Sequence, residues 1–198
     1  MGSAVTEAVI VGSRDALSDA LAAGGNPNDS EGPMTALALA CIQKREDLVG
    51  ELLRYGANVN YQNADGATVL HTAASIGSFA IVRLLLSRGA PYDSGASTGQ
   101  TPLMAAAHSG DKDIVRLLLS SGADPQRTDK HFRSALHWAA IGGDHVDVFS
   151  ALVEAGADLG ASTLDGKTPY QYATALNRSA IVDFISSHEV SEPSPRKN

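Results

Sequence analysis

The chain is poor in the residues that would give it chemistry of its own. It has a single cysteine, Cys41, which excludes an internal disulfide and suits a reducing compartment. Cys41 falls at an Ala position of an apolar helical stretch and reads as a small core residue rather than a reactive thiol. Cations are in deficit. Fifteen Lys and Arg face 22 Asp and Glu, a formal net charge of -7, which argues against nucleic acid, because a phosphate backbone needs clustered Lys and Arg. Long apolar runs are also missing. The opening MGSAVTEAVIVG is too short to span a bilayer and has no basic residue ahead of it, so neither a membrane span nor a signal peptide is expected there. Cytoplasm or nucleus follows as the expected location. There is no phosphate-binding glycine loop and no Ser on a strand-to-helix elbow. His108, His131 and His145 have no regular ligand spacing with one another or with Cys41, whereas a structural zinc needs about four N or S ligands. The expectation is a protein that is not an enzyme and holds no metal or cofactor.

What the chain has in abundance is a period. Thr35, Thr68, Thr101 and Ser134 each stand two residues ahead of a Leu or, equivalently, open TAL, TVL, TPL and SAL, at intervals of 33. Thr168, in TPY, comes 34 later. Gly56, Gly89, Gly122 and Gly156 recur in step at 33, 33 and 34, which puts one inserted residue near Gly143 to Val148. A constant interval of this length marks a repeat array. Each Thr or Ser stands where a helix N-cap belongs. Pro102 and Pro169 follow at the first helical position, where a missing N–H is tolerated. The pairs Ala73-Ala74, Ala106-Ala107 and Ala139-Ala140 keep a first helix thin, and Leu84 to Leu86 and Leu117 to Leu119 give bulk to a second. Gly89, Gly122 and Gly156 close the second helices. The spacing predicts helices over Val69 to Ser75 and Phe79 to Arg88, neither able to bury its apolar face without a neighbouring unit.

The units read GATVLHTAASIGSFAIVRLLLSRGA, GQTPLMAAAHSGDKDIVRLLLSSGAD and FRSALHWAAIGGDHVDVFSALVEAGAD. This pattern resembles the ankyrin repeat family over residues 29–186. The resemblance implies an all-α repeat (an α-solenoid) of helix–loop–helix units joined by β-hairpin finger loops, as one domain over 4–187. A capping unit spans 4–28, repeats span 29–60, 61–94, 95–127 and 128–161, and a closing cap spans 162–187. It also implies that His71 and His137 are structural, bonding within and between units. Three positions depart from the pattern: Lys44-Arg45 and Asn177 stand where the inter-helix Gly is usual, and Phe132 stands at a finger-turn Gly. The segment from 188 to 198 has no apolar period and two prolines, and is expected to be a disordered tail. Ser191 and Ser194 within it are candidate phosphorylation sites. Asn60 matches an Asn that oxygenases hydroxylate in some ankyrin proteins.

For function, the resemblance implies a concave groove, lined by finger tips and first-helix faces, that grips another protein. Projecting the register assigns Ile42, Ile76, Gln100, His108, Lys130, His131, Arg133, Trp138, Ile141 and Lys167 to it. Lys130, His131 and Arg133 gather at one finger, with Arg127 before it and Lys167 on the next. They form either a solvated loop or a site for an acidic peptide or a C-terminal carboxylate, which an Arg fork suits. Trp138 is either a core contact or an aromatic anchor on the groove floor. On the groove reading, Arg133→Glu weakens partner capture while leaving the melting temperature nearly unchanged. The expected role is a monomeric adaptor, scaffold or assembly chaperone. The alternative is a regulatory or targeting segment of a larger enzyme or channel.

Overall fold

The computed structural model describes residues 2–189; Ser191 and Ser194 lie outside the described residues, as does the expected tail from 190 onward. Twelve helices, among the described residues, follow one another in six pairs. They are α1 (Ala4–Val11) with α2 (Arg14–Ala22), α3 (Ala36–Ile42) with α4 (Glu46–Arg54), and α5 (Val69–Ser75) with α6 (Phe79–Ser87). The pairs continue with α7 (Pro102–Ser109) and α8 (Lys112–Ser120), α9 (Ala135–Gly142) and α10 (Val146–Glu154), and α11 (Pro169–Ala175) and α12 (Ser179–Glu189). The final helix therefore runs two residues into the expected tail. Between α2 and α3 lies a small hairpin, β1 (Ser30–Glu31) with β2 (Met34–Thr35), in which Glu31 pairs with Met34. Single bridges at Gln62–Thr68 and Thr128–Ser134 mark equivalent fingers in later units.

The first helices stack in order from α1 to α11, and the second helices from α2 to α12, each touching its counterpart in the next unit. Small residues allow that approach: Ala40, Ala73, Ala74, Ala106, Ala107, Ala139 and Ala140 are wholly buried. Gly142 marks the tightest point, since a Cβ there would run into the carbonyl of His108 on the preceding unit. The second helices fill the interior with Leu48, Leu52, Ile81, Leu85, Ile114, Leu118, Phe149 and Leu152, all fully buried, each side chain contributing about 1.5–3 kcal/mol.

The three departures from the repeat pattern keep the repeat backbone. Lys44 (φ 55°) and Asn177 (φ 57°) adopt the left-handed conformation that Gly77 (φ 68°) and Gly110 (φ 78°) hold between the helices of their own units. Phe132 (φ 58°) does the same at the finger turn held elsewhere by Gly66 (φ 71°) and Gly99 (φ 83°). Such a conformation costs a side chain-bearing residue about 1–2 kcal/mol, so stacking overrides local preference at all three. The inserted residue lies in the α9–α10 connection, where Gly143 is extended (φ 175°). There Asp144 caps the start of α12 across the unit boundary, its carboxylate accepting from the N–H groups of Ala180 (3.0 Å) and Ile181 (3.1 Å).

Candidate partner-binding groove

Histidine sets the distance between one first helix and the next finger. The Thr68 N–H donates to His71 Nδ1 at 3.0 Å. Nδ1 is therefore the unprotonated ring nitrogen, and Nε2–H donates to the Gln100 carbonyl of the following finger at 3.0 Å. His137 repeats the arrangement, with Ser134 N–H on Nδ1 at 3.1 Å and Nε2 on the Lys167 carbonyl at 3.1 Å. Burial pushes both histidines below the ordinary value of 6.5. That fits rings whose Nδ1 already faces an N–H, because a second proton there would meet a donor. The N-cap hydroxyls of Thr68 and Ser134 also lie 2.9 Å from the respective Nδ1 atoms, so each ring ties a helix start to the next finger. Cys41 is fully buried, and burial pushes its thiol up to about 12, which leaves no thiolate for chemistry. Among the described residues no group of three or more His, Cys, Asp or Glu is placed to hold a metal, and no helix is long and apolar enough to cross a membrane.

The finger from Asp129 to Arg133 is organised by a buried carboxylate. Asp129 Oδ1 accepts from the backbone N–H of His131 (2.8 Å) and Arg133 (2.9 Å). Its Oδ2 accepts from Arg133 Nε (2.7 Å) and Trp138 Nε1 (3.2 Å). The Arg133 guanidinium also lies over the Trp138 ring, 4.3 Å from its centre, and the His108 ring meets the same indole edge-on at 5.7 Å. Arg133 thus serves as an internal counter-ion through its Nε. Its neighbours are paired likewise: Arg127 with Asp93 at 3.0 Å, and Lys167 with Asp165 at 2.9 Å. The Thr163 hydroxyl and Lys167 together hold the Asp165 carboxyl down at about 2. Of the five basic side chains gathered by the sequence, Lys130 and His131 are exposed at the finger tip and have no carboxylate partner among the described residues. The expectation that Arg133→Glu leaves the melting temperature nearly unchanged is corrected here, because that change would set a second carboxylate against the buried Asp129.

Fingers and first helices enclose two clefts on one side of the stack. The first, of about 60 Å³, lies between the second and third units and is lined by Met34, Ala38, Ile42, Tyr61, Ala67 and Thr72, among others. Met34, Ile42 and Tyr61 are 41%, 45% and 40% exposed. The second, wider and about 270 Å³, lies one unit further along and brings together Ile76, Gln100 and His108 with His71 and Ser75. Beyond it come Trp138 and Arg133, so Ile76, Gln100, His108, Trp138 and Arg133 form one continuous strip. Ile42 belongs to the first cleft. Ile141, half-buried at the end of α9, gives its carbonyl to the Arg178 guanidinium at 3.2 Å and lines neither cleft. Lys167 gives its backbone carbonyl to His137, behind the strip, and its side chain to Asp165. Sequence reasoning missed Tyr61, Ala38 and Thr72. Tyr61 had a usable signal: it is an aromatic at a register position filled by Ser94, Arg127 and Ala161 in later units.

The chain matches the family model "Ankyrin repeats (3 copies)" over residues 5–94 and 37–129, and the model "Ankyrin repeat" over 131–164. It is 33% identical over 145 residues, 70% of its length, to the nuclear factor NF-kappa-B p105 subunit of Gallus gallus. It is 34% identical over 179 residues, 87% of its length, to inversin of Homo sapiens, and 30% identical over 164 residues, 80% of its length, to tyrosine-protein kinase HTK16 of Hydra vulgaris. The chain spans 14%, 16% and 22% of these three relatives, respectively p105, inversin and HTK16.

Proposed function

Because the chain belongs to the ankyrin repeat family, whose repeats are generally protein–protein interaction modules, we propose that it is a non-catalytic module holding a partner protein against the face formed by fingers and first helices. The observation that carries this reading is the convergence of Met34, Ile42 and Tyr61 on one cleft, each about two-fifths exposed. Folding alone gives no reason to leave these side chains in water, and apolar and aromatic side chains gathered in a concavity are the usual anchors of binding. Ile76, Gln100, His108 and Trp138 extend the contact surface, with Lys130 and His131 at its rim. An acidic peptide or C-terminal carboxylate as partner draws less support, since Arg127, Arg133 and Lys167 are already held by carboxylates of the fold. The module acts as an adaptor or scaffold, as a monomer, in cytoplasm or nucleus.

Affinity capture with mass spectrometry, on wild type beside Ile42→Glu and Ile76→Arg, tests the reading. Both positions are solvent-accessible, so melting temperatures should stay within a few degrees while the groove-dependent partners are lost. An unchanged set of captured proteins in both variants would count against the groove. A second reading is favoured by the small share of each relative that the chain spans: the same face serves as a targeting or regulatory segment beside another domain. A coding sequence that continues into a further domain would support it.

A further inference from the structure

One bridge of the repeat is missing between the second and third units, and the cleft of about 60 Å³ lies where it would run. In the third and fifth units a histidine three places after the capping residue joins that residue's N–H to the carbonyl of the next finger. Thr68 is joined through His71 to Gln100, and Ser134 through His137 to Lys167. In the fourth unit Met104 Sδ takes the Thr101 N–H at 3.4 Å, and in the sixth Gln171 Oε1 takes that of Thr168 at 2.9 Å. The second unit has Ala38 at this place, with no polar atom in its side chain. Thr35 is only 5% exposed, yet its N–H has no acceptor among the described residues. The hairpin does not supply one. Ala36 N–H bonds to the Asp29 carbonyl at 2.8 Å, and in an antiparallel pair the neighbouring residue then turns its own N–H away from the opposite strand. On the third-unit side, Ala67 holds the place of Gln100 and Lys167. Its carbonyl accepts from Asn63 N–H at 3.0 Å, as Gln100 accepts from Ala96 and Lys167 from Thr163. A carbonyl has a second lone pair, and among the described residues no side chain of α3 reaches this one. Thr35, Ala38 and Ala67 all line the cleft.

We propose, resting on the groove reading above, that this cleft takes the imidazole ring of a histidine presented by the partner protein, seated as His71 and His137 are seated in their own units. One ring nitrogen accepts from the Thr35 N–H, and the other carries the proton and donates to the Ala67 carbonyl. The size of the cleft agrees. A water-sized group needs roughly 10–15 Å³ of such free space, so about 60 Å³ holds some four to six heavy atoms, enough for an imidazole and too little for an indole. An aliphatic side chain of the same size would fill the space but leave the Thr35 N–H buried without an acceptor, which folded proteins rarely tolerate. In both places where the fold completes this bridge it uses an imidazole. The remaining walls suit a neutral ring: Ile42 and Val69 are apolar, and Met34 brings a thioether that packs well against aromatic edges. Met34, Ile42 and Tyr61, each about two-fifths exposed, stand where the cleft meets solvent and would flank the residue that carries the ring.

The test is an NMR titration of the isotope-labelled protein with three capped tripeptides, at about pH 8 so that the free ring is neutral. One is Gly-His-Gly, the second has the histidine ring methylated on a nitrogen, and the third has Leu in place of His. Methylation leaves an acceptor but removes the ring N–H; Leu has neither. The first should shift the amide signals of Thr35, Ala38 and Ala67 and bind about tenfold more tightly than the other two, the loss expected for one hydrogen bond. Ala38→His should fill the cleft from within, raise the melting temperature by completing the bridge, and abolish the shifts caused by the His peptide. Should that variant fail to fold, the order of the three peptides on the wild type decides alone. Equal binding of the Leu or the methylated peptide, no shift with any peptide at millimolar concentration, or a folded Ala38→His that still binds the His peptide overturns the proposal. Each of these outcomes leaves the groove reading standing, and that reading fails separately, through the capture experiment.

Discussion

Asp129→Ala should destabilise the protein locally rather than merely alter its surface. The carboxylate side chain has no exposed surface and accepts four donors from a single finger and the helix behind it. Hydrogen bonds to a charged acceptor are worth about 1.5–3 kcal/mol each. The donors of His131 and Arg133 lie near solvent and recover water when the acceptor goes, so the four do not add. Removing one partner of a buried pair typically costs about 3–5 kcal/mol, and the lower end applies here because the Arg133 side chain is 24% exposed. About 3 kcal/mol corresponds to a fall in melting temperature of roughly 6–12 °C for a chain of this size. Asp129→Asn should do little better: its amide oxygen can serve the two backbone N–H groups, but its NH2 then faces the Arg133 and Trp138 donors. Trp138 is the single tryptophan and bonds directly to this carboxylate. Its fluorescence therefore reports this unit, while far-ultraviolet circular dichroism reports every helix. Urea unfolding followed both ways should show the fluorescence midpoint falling further than the helical one. A variant whose two midpoints coincide and lie within about 0.5 kcal/mol of wild type, the usual range of an innocuous surface change, would refute this account of the finger.

Other outcomes follow from the same contacts. His71 and His137 are held below 6.5 in the fold, so the unfolded chain binds protons first. Their contribution is complete above about pH 6.5 and should be lost as pH falls below it through the folded values. The double variant His71→Gln, His137→Gln should show a shallower decline between pH 7 and 5, since Gln171 already fills the equivalent place in the last unit with its Oε1 accepting from Thr168 N–H at 2.9 Å. Identical pH slopes in denaturation would contradict this. Lys44→Gly should raise stability by up to about 1 kcal/mol by relieving a left-handed residue, measured as a higher urea midpoint. Gly142→Ala should lower stability by about 1–3 kcal/mol, the usual range of overpacking, because its Cβ would meet the His108 backbone. A neutral result there would mean that α7 and α9 can separate at little cost.

Much of the fold could be read from the chain because its rules are local. Thr35 and Thr101 cap their helices through contacts three residues away, and such contacts leave a mark at fixed spacing. The unusual positions were also legible, as places where Lys44, Phe132 and Asn177 interrupt a run of glycines. Their outcome was not, since whether a left-handed Phe is tolerated depends on how firmly the adjoining units hold the turn. The candidate site was less legible. Ile76, Gln100 and His108 share one cleft as the register suggested, but Ile141 does not join them, because the inserted residue in the α9–α10 connection alters that end of its helix and Arg178 binds its carbonyl.

By itself the sequence determined that the chain is a stack: caps, small residues and leucines returning at 33 residues specify units that are stable only beside one another, and nearest-neighbour contacts carry that information linearly. The tertiary structure alone decided which charges remain available. Arg127 reaches Asp93 across 34 positions, and Asp129 gathers Arg133 and Trp138 on one oxygen. Three of the basic side chains clustered in the sequence became internal ion pairs, and an apolar notch formed where Met34 and Tyr61 of successive fingers meet Ile42. Pairing of side chains depends on distances between fingers, and a repeat interval carries no record of those.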